Sequence, residues 1–441
     1  MIGTGYVGLV SGACLADFGN MVRCVDVDEE RINLLLAGGI PIYEPGLKEL
    51  VSRNVDSGRL RFTTDVGDAV ENSDVVFIAV GTPSRPDGSA DLSYVFGAAE
   101  SVSRHLNEFK VIVTKSTVPV GTTREIRAFI AARAPREAEF DVAANPEFLR
   151  EGSAVEDFMR PNRVVIGTEA ERARDIMKKV YRSLYLIETP VVMTDLETAE
   201  LIKHASNAFL ATKISFINEI AAISELVGAN VDDVAKAMGL DGRIGRKFLH
   251  AGVGYGGSCL PKDISSLIHL AESRGYEPRI VRAISAVNDG LPGKAVDKLR
   301  QEIGDLAGAS ICVLGLAFKP NTDDLRDAPA IRIIKDLLKE RAVVRVFDPV
   351  AMDNFRKTVA LDVEYSRNPY EAAEGCRGLI LVTEWNEFRQ LDLPRLKKVM
   401  GEPVFIDCRN VYKPDRMFEQ GFRYRSFGRG EEKKRQKESA K

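Results

Sequence analysis

Two doubly wound α/β domains joined by a central helical segment are what this 441-residue sequence predicts, and three observations predict them. Short apolar runs alternate with helical patterns up to about residue 190. They do so again from about 296 to 430. Between the two stretches, residues 196–227 hold neither proline nor glycine and repeat apolar residues at helical spacing. Runs that are apolar throughout read as parallel strands buried on both faces, and strand–helix alternation reads as a doubly wound sheet. The changes of pattern place domains at 1–195, 196–295 and 296–428. A charged, polar tail over 429–441 is expected to be disordered. Hydrophobic content of 45% and charged content of 28% are ordinary for a globular chain. A net charge of −3 provides no basic footprint for nucleic acid or an acidic membrane. No apolar run approaches the ~20 residues that span a bilayer, and no secretory leader is expected before the first motif. The six cysteines (14, 24, 259, 312, 376, 408) have no metal spacing and no CxxC pair, so no metal site is expected and the thiols suit a reducing cytoplasm.

The first element is Gly3-Thr4-Gly5-Tyr6-Val7-Gly8, a G-x-G-x-x-G turn followed by a helical pattern. Val22-Arg23-Cys24-Val25 then reads as a strand, and Asp26 ends it about 20 residues after the turn, as a Rossmann-type dinucleotide site requires. Gly3, Gly5 and Gly8 would admit a pyrophosphate to the helix start at Tyr6 and Val7. Asp26 would accept from the ribose hydroxyls and repel a 2′-phosphate, which favours NAD over NADP, with Arg31 near enough to soften that preference. Only Met1 and Ile2 precede Gly3, while strands usually run about 5–6 residues. The expectation is therefore a true start upstream of Met1 or, failing that, a domain that tolerates a stub. Further strands are expected over 75–80, 111–115 and 141–144. Their carboxyl ends lead into Gly81-Thr82-Pro83, Ser116-Thr117-Val118-Pro119 and Asn145-Pro146-Glu147-Phe148, where such sheets bind ligands.

The next element is the helix over 196–227, roughly 45 Å long, more than one small domain needs. It is expected to bridge domains or build a dimer interface. Lys203 and Asn207 share a face one turn apart; His204 beside them receives no role. Gly252-Val253-Gly254-Tyr255-Gly256-Gly257-Ser258-Cys259 follows, with Leu260-Pro261-Lys262-Asp263 behind it. Pro261 suits a first helical turn, which puts Cys259 and Asp263 on one helix face. The five small residues of the loop suggest close approach of a large ligand. A cysteine there is either an inert core thiol beside a helix cap or a thiolate stabilised by backbone amides. The second α/β stretch shows strand-like runs at 310–314, 343–347, 378–382 and 403–407. Asp348 repeats the theme of a strand ending in an acid.

Six motifs together identify a resemblance. They are Gly-Thr-Gly-Tyr-Val-Gly (3–8), Ile-Pro-Ile-Tyr-Glu-Pro-Gly-Leu (40–47), Lys-Ser-Thr-Val-Pro-Val-Gly-Thr (115–122), Asn-Pro-Glu-Phe-Leu-Arg-Glu-Gly (145–152), Gly-Tyr-Gly-Gly-Ser-Cys (254–259) and Phe-Lys-Pro-Asn-Thr-Asp-Asp-Leu-Arg (318–326). In this order, from Gly3 to about Val411, the chain resembles the UDP-glucose/GDP-mannose dehydrogenase family. The resemblance implies an N-terminal NAD domain, a central helical domain and a C-terminal UDP-binding domain. It implies four-electron oxidation of a nucleotide sugar, UDP-glucose first, at its C6 alcohol, using two NAD and one water. Cys259 would be the nucleophile. Lys203 and Asn207 would stabilise the oxyanion, Asp263 would hold a water or Lys203 and Thr117 the same water, and Glu147 would activate or position the hydrolytic water or complete the acid–base network. NAD contacts would include Arg31, Thr82, Thr117, Glu151 and Lys262. Substrate contacts would include Glu147, Phe148, Leu149, Lys203, Asn207, Tyr255, Gly256, Lys319 and Arg409. Arg243 would reach into the site of a second subunit, which makes a homodimer the expected assembly.

Departures keep alternatives in view. Leu260 follows the cysteine, as in many GDP-mannose enzymes, where many UDP-glucose enzymes carry Phe; Tyr43 leans toward UDP-glucose. The alternatives are GDP-mannose or UDP-N-acetylmannosamine oxidation, a two-electron β-hydroxy acid dehydrogenase, and a non-catalytic NAD sensor. Cys259 and the third domain argue against the β-hydroxy acid enzyme. Intact Cys259, Lys203, Asn207 and Asp263 argue against the sensor.

Overall fold

The computed structural model describes residues 1–429. Residues 430–441, nearly all of the expected tail, lie outside the described residues. Arg429, the first residue of that tail, donates to the Tyr412 carbonyl at 2.6 Å and pairs with Asp232 at 2.7 Å. Close packing divides the chain into two compact units: Met1–Ser206 with Ser265–Glu277, and Asn207–Ile264 with the chain from Pro278 onward.

The first unit carries strands β1 (Val22–Val25), β2 (Leu60–Thr63), β3 (Val75–Ile78), β4 (Lys110–Thr114), β5 (Phe140–Ala144), β6 (Val164–Gly167) and β7 (Val191–Thr194). The expected first strand is reduced to Met1–Gly3, and these residues lie between β1 and β3. Ile2 bridges Val25 on one side and Ile78 on the other. Its amide donates to the Phe77 carbonyl and its carbonyl accepts from Ala79, both at 2.8 Å. The Met1 ammonium donates to the Arg23 carbonyl at 2.8 Å, and burial lowers its proton affinity. With that segment counted as strand one, β2, β1, Met1–Gly3, β3, β4 and β5 follow the order 3-2-1-4-5-6. Neighbours are parallel except β5 and β6. Alternate residues serve opposite cores: Val111 and Val113 join one, Ile112 the other, as a sheet buried on both faces requires.

The second unit carries β8 (Ser310–Leu314), β9 (Val343–Phe347), β10 (Glu364–Tyr365), β11 (Gly378–Leu381), β12 (Val404–Asp407) and β13 (Arg423–Arg425). The sheet runs β10-β9-β8-β11-β12-β13 with every pair parallel, which is again 3-2-1-4-5-6. Its core gathers Ile311, Val313, Leu379, Leu381 and Phe405.

The long helix spans Leu196–Val227, 32 residues, with the bounds its unbroken pattern predicts, and it contributes residues to both units. In the second unit, Ile217 and Ala221 pack with Val231, Leu249 and Ala251. Among the described residues no helix is long and apolar enough to cross a membrane. The sequence reading did not foresee β2, β6, β7, β10 or β13. Leu60-Arg61-Phe62-Thr63 shows why. Four residues with a central charge carry too little periodicity to read, and pairing with β1 makes the strand.

Candidate active site

In the first unit, the G-x-G-x-x-G turn forms a cradle. Gly3 has φ +97°, and a Cβ there would sit 2.6 Å from the Ala79 carbonyl oxygen. A Cβ on Gly8 would lie 1.9 Å from the Gly3 carbonyl oxygen, so side chains are excluded at both. A Cβ on Gly5 would meet nothing within 4 Å, so that side is open. The helix Tyr6–Asp17 starts on Gly5 with no side-chain cap, and its first amides face that opening around Tyr6 and Val7. Asp26 follows β1. Its Oδ2 accepts the amide and hydroxyl of Thr4 at 2.7 Å each and Arg31 at 3.1 Å. Burial alone would raise its proton affinity, but the bonds from Thr4 and Asp28 and the charge of Arg31 outweigh this and hold the carboxyl below its usual value. An ionised acid beside an open, glycine-walled helix start fits the ribose and pyrophosphate of a dinucleotide.

The carboxyl ends of β3, β4 and β5 lead into the other expected residues of this unit. Thr82 donates its hydroxyl to the Thr117 carbonyl at 2.8 Å. Glu147 accepts Lys203 Nζ on Oε1 at 2.9 Å and the Leu149 amide on Oε2 at 2.5 Å. Both side chains of the Glu147–Lys203 pair are about 5% exposed, so the charges are desolvated and held by geometry. The Lys203 ammonium lies 5.4 Å from the Phe148 ring centroid. Glu151 is half-buried in the turn before the helix Ala154–Met159.

In the second unit, the helix Leu260–Ser273 opens directly after Cys259, whose carbonyl accepts the Asp263 amide at 2.9 Å. The expected helix start and shared face are therefore present. Asp263, 1% exposed, accepts Asn207 Nδ2 at 2.5 Å and Lys262 Nζ at 2.7 Å. Lys262, expected at the cofactor, is thus paired with Asp263. No cysteine forms a disulfide, and Cys259 alone of the six is not buried. Burial pushes the Cys14 thiol up to about 12 and those of Cys24 and Cys376 to about 11, which marks them as inert core thiols. The Cys259 sulfur lies 3.4 Å from the Ser258 hydroxyl.

The glycines of the loop also serve packing: on the side a Cβ would take, protein fills the space. A Cβ would sit 2.3 Å from the Cys408 carbonyl oxygen at Gly252 and 2.2 Å from that of Asp327 at Gly256. The Tyr255 amide donates to Asn288, whose side-chain amide donates back to the Tyr255 carbonyl. Arg409 donates to the carbonyls of Val382 (2.8 Å), Gly254 (2.9 Å) and Phe318 (3.4 Å), and it ties the loop to the carboxyl end of the second sheet. The Lys319 ammonium lies 5.1 Å from the Phe318 ring centroid. Arg243 is not gathered with these residues. Its side chain is 89% exposed and pairs with Asp241.

Several residues escaped the sequence reading. Thr4 holds Asp26. Glu44 accepts the amides of Gly152 (2.7 Å) and Ala154 (2.8 Å) and the hydroxyl of Tyr6, which joins three of the six motifs. Glu200 accepts the Gly121 amide and the amide and hydroxyl of Thr123. His204, given no role, is buried and donates Nε2–H to the Val118 carbonyl at 2.8 Å. Together Glu200 and His204 clamp the 118–123 loop to the long helix. The signal was spacing: Glu200 lies three residues before Lys203, and His204 three before Asn207. Lys115, fully buried, donates to Asn145 at 3.1 Å and Tyr181 at 3.4 Å; its signal was a lysine directly after a strand with an apolar centre.

Comparison with known proteins agrees with this geometry. Three models of the UDP-glucose/GDP-mannose dehydrogenase family match in order: the NAD binding domain over residues 1–185, the central domain over 197–290 and the UDP binding domain over 312–414. A UDP-glucose 6-dehydrogenase of Rhizobium meliloti is 55% identical over 433 residues, 97% of this chain and 99% of that protein. The structure of a UDP-glucose dehydrogenase from the archaeon Pyrobaculum islandicum superposes with a TM-score of 0.89 at 41% identity, covering 96% of this chain and 95% of that one. A UDP-D-ManNAc dehydrogenase from Pyrococcus horikoshii gives 0.86 at 28% identity over 97% and 98% of the two chains. The six motifs, the dinucleotide cradle, the unburied cysteine and the second parallel sheet all fall inside these matches, and the chain belongs to the UDP-glucose/GDP-mannose dehydrogenase family.

Proposed function

We propose that this protein oxidises the C6 alcohol of UDP-glucose to the carboxylate of UDP-glucuronate, with the cofactor on the first unit's cradle and the UDP moiety on the second unit's sheet. The observation that carries the chemistry is Cys259, the one unburied thiol, at a helix start beside the Asn207–Asp263–Lys262 chain. NAD bound by Asp26, Arg31, Thr82, Glu151 and the amides near Gly5 supplies the oxidant, one molecule for each pair of electrons. The alcohol loses its hydroxyl proton and one carbon-bound hydrogen to become an aldehyde. The Cys259 thiolate then adds to that carbon, and a C–S bond forms as the carbonyl oxygen becomes an alkoxide. Loss of the second carbon-bound hydrogen leaves a thioester. Water adds to it, the C–S bond breaks, and the thiolate returns as the carboxylate leaves.

Lys203 faces the developing oxyanion, with Asn207 one helical turn on as a neutral donor. Glu147, already bonded to Lys203, draws a proton from the hydrolytic water, which Thr117 and Asp263 position. Phe148, Leu149, Tyr255, Gly256, Lys319 and Arg409 make up the sugar-nucleotide contacts. Residues 1–195, 196–295 and 296–428 act as cofactor, bridging and substrate domains. The chemistry needs a thiolate kept reduced, which suits the cytoplasm. Purified protein given NAD and a panel of UDP- and GDP-sugars should form two NADH per UDP-glucose consumed. One NADH per sugar, or a preference for GDP-mannose or UDP-N-acetylmannosamine, would overturn the assignment.

The working form is a homodimer. Phe209, Phe216 and Ile223, seven residues apart on the long helix, are 65%, 45% and 48% exposed, and such a stripe asks for a second copy. Arg243 of the partner subunit then completes each site. Mixing R243A with C259S chains should restore activity, because one site of the mixed dimer carries both residues. A mixture that stays inactive, or an active monomer in sedimentation, would end the idea.

A further inference from the structure

The turn that carries Arg409 is held by a segment with no part in the chemistry above, Phe427–Arg429, shortly after β13. Arg409 lies just past β12, and the next residue, Asn410, takes φ +53°, a left-handed conformation that asparagine tolerates better than most residues. The Asn410 side chain pairs with the Phe427 backbone in both directions. Its Nδ2 donates to the Phe427 carbonyl at 2.8 Å, and its Oδ1 accepts the Phe427 amide at 3.0 Å. Arg429 reaches back over the turn and donates to the carbonyls of Tyr412 at 2.6 Å and Asn410 at 3.0 Å. The segment is itself fixed to the end of the long helix and to the residues after it. Glu225 accepts the Gly428 amide at 2.7 Å, the Gly428 carbonyl accepts the Val231 amide at 2.8 Å, and Asp232 pairs with Arg429 at 2.7 Å. A Cβ on Gly428 would sit 2.6 Å from side-chain atoms of Ala221 and Val231, so the approach is close. The Arg429 side chain is 10% exposed.

The same turn holds the glycine loop that leads to Cys259. The Cys408 carbonyl accepts the Val253 amide at 3.0 Å, and Arg409 donates to the Gly254 carbonyl at 2.9 Å. We propose that Arg429 and Asn410 are positioning residues for the sugar-nucleotide site: with Phe427 they strap the Arg409 turn into the shape that holds the Gly252–Cys259 loop. The proposal rests on the assignment of Arg409 to the UDP moiety. A guanidinium suits this place because its planar fork serves two carbonyls and a carboxylate at once in fixed directions, which an ammonium on a flexible stem does not. Without the strap, the Asn410 and Tyr412 carbonyls lose a charged donor, and the left-handed turn loses the bonds that offset its backbone cost. Neither residue transfers a proton or an electron; each acts through the backbone of the turn.

Two readouts on the full-length enzyme test this: UDP titrated by calorimetry, and backbone hydrogen exchange over 252–259 followed by mass spectrometry without ligand. R429A removes the guanidinium. N410G keeps the left-handed turn, since glycine adopts positive φ freely, and removes only the two bonds to Phe427. R429A should weaken UDP roughly ten- to hundredfold, the worth of hydrogen bonds to a charged group, and N410G roughly three- to tenfold, the worth of neutral ones. R429K should fall between the parent and R429A. The KM for UDP-glucose should rise in each variant with a smaller change in kcat. Exchange over 252–259 should quicken, while NAD affinity stays within about twofold of the parent. Unchanged UDP affinity in R429A and N410G, with only a lower melting temperature, would overturn the proposal. Weaker UDP with unchanged exchange would overturn it too, since the route through the glycine loop would be wrong. If R429A fails to fold, N410G decides alone. A parent enzyme that binds no UDP would remove the assignment of Arg409 and the proposal with it, whereas a parent that binds UDP beside unaffected variants removes the strap alone.

Discussion

The two parallel sheets share one strand order and one sequence theme, an acid directly after the second strand, yet the acids have opposite fates. Asp26 follows β1 beside the open face of Gly5. Asp348 follows β9 and is 1% exposed. Its Oδ2 accepts the amides of Leu316 and Ala317 and the indole N–H of Trp385, and its Oδ1 accepts the amides of Val350 and Ala351. Five donors leave no lone pair for a ribose. In the first sheet the acid stands beside an open helix start, where the proposed cofactor would sit; in the second it is a structural staple, and a ligand there would be held by other groups near the strand ends. An acid at that point of the fold is therefore not evidence of a dinucleotide until its partners are known.

The sharpest way to break this division of labour is to remove the chemistry while leaving both sheets alone. C259S should lower turnover by more than ~1000-fold, since an alkoxide leaving group is far poorer than a thiolate. Calorimetry should find NAD and UDP-glucose affinities within about twofold of the parent. Turnover near that of the parent would sink the covalent route. The next largest effect should come from D348A, which orphans five buried donors and should cost roughly 2–4 kcal/mol of stability. The melting temperature should fall while NAD affinity per folded molecule holds. If D348A instead weakened NAD binding with little change in melting, the contrast between the acids would be reversed.

D26A should do the opposite. Loss of a charged acceptor is worth about 1.5–3 kcal/mol, or roughly tenfold to hundredfold in NAD affinity, with a smaller drop in melting temperature than D348A. The NAD/NADP ratio should narrow, because the 2′-phosphate loses its repelling charge. An unchanged ratio would shift the preference to Arg31. The smallest effect concerns pH and stability in the first sheet. Unfolded Lys115 holds its proton up to about 10.4, whereas the folded protein holds it only below about 8. Between those values the unfolded chain binds more protons, so stability rises with pH; below about 8 the full cost is present. K115M should therefore melt higher than the parent at pH 7, by at most roughly 2–3 kcal/mol, and the gap should shrink as pH rises toward 10. A gap constant with pH would mean that only packing changed.

Most strands that are apolar throughout were legible, because burial on both faces leaves no polar residue to disguise them. The long helix was legible to its ends, since 32 residues of 3.6-residue period admit no other reading. The site was legible where chemistry is rare in sequence: a cysteine after a glycine loop, an acid after a strand, a lysine and asparagine one turn apart. It was not legible where a residue acts by whom it meets. Thr4, Glu200, His204 and Tyr181 are ordinary residue types in ordinary patterns. Each gains its role from a partner 22 to 86 positions away.

The glycine loop and the two acids mark the boundary between the two kinds of information. By itself the sequence determined where the apolar strands and the long helix lie, that a cysteine stands at a helix start, and that two acids end equivalent strands. These follow from local periodicity and residue chemistry, which the chain carries in every conformation. Only the tertiary structure decided that Gly252 and Gly256 serve packing against the Cys408 and Asp327 backbone. It also decided that Trp385 closes over Asp348 while Gly5 stays open near Asp26. Those outcomes depend on which distant groups fill the space around a residue, and that is fixed when the sheets close and their loops pack.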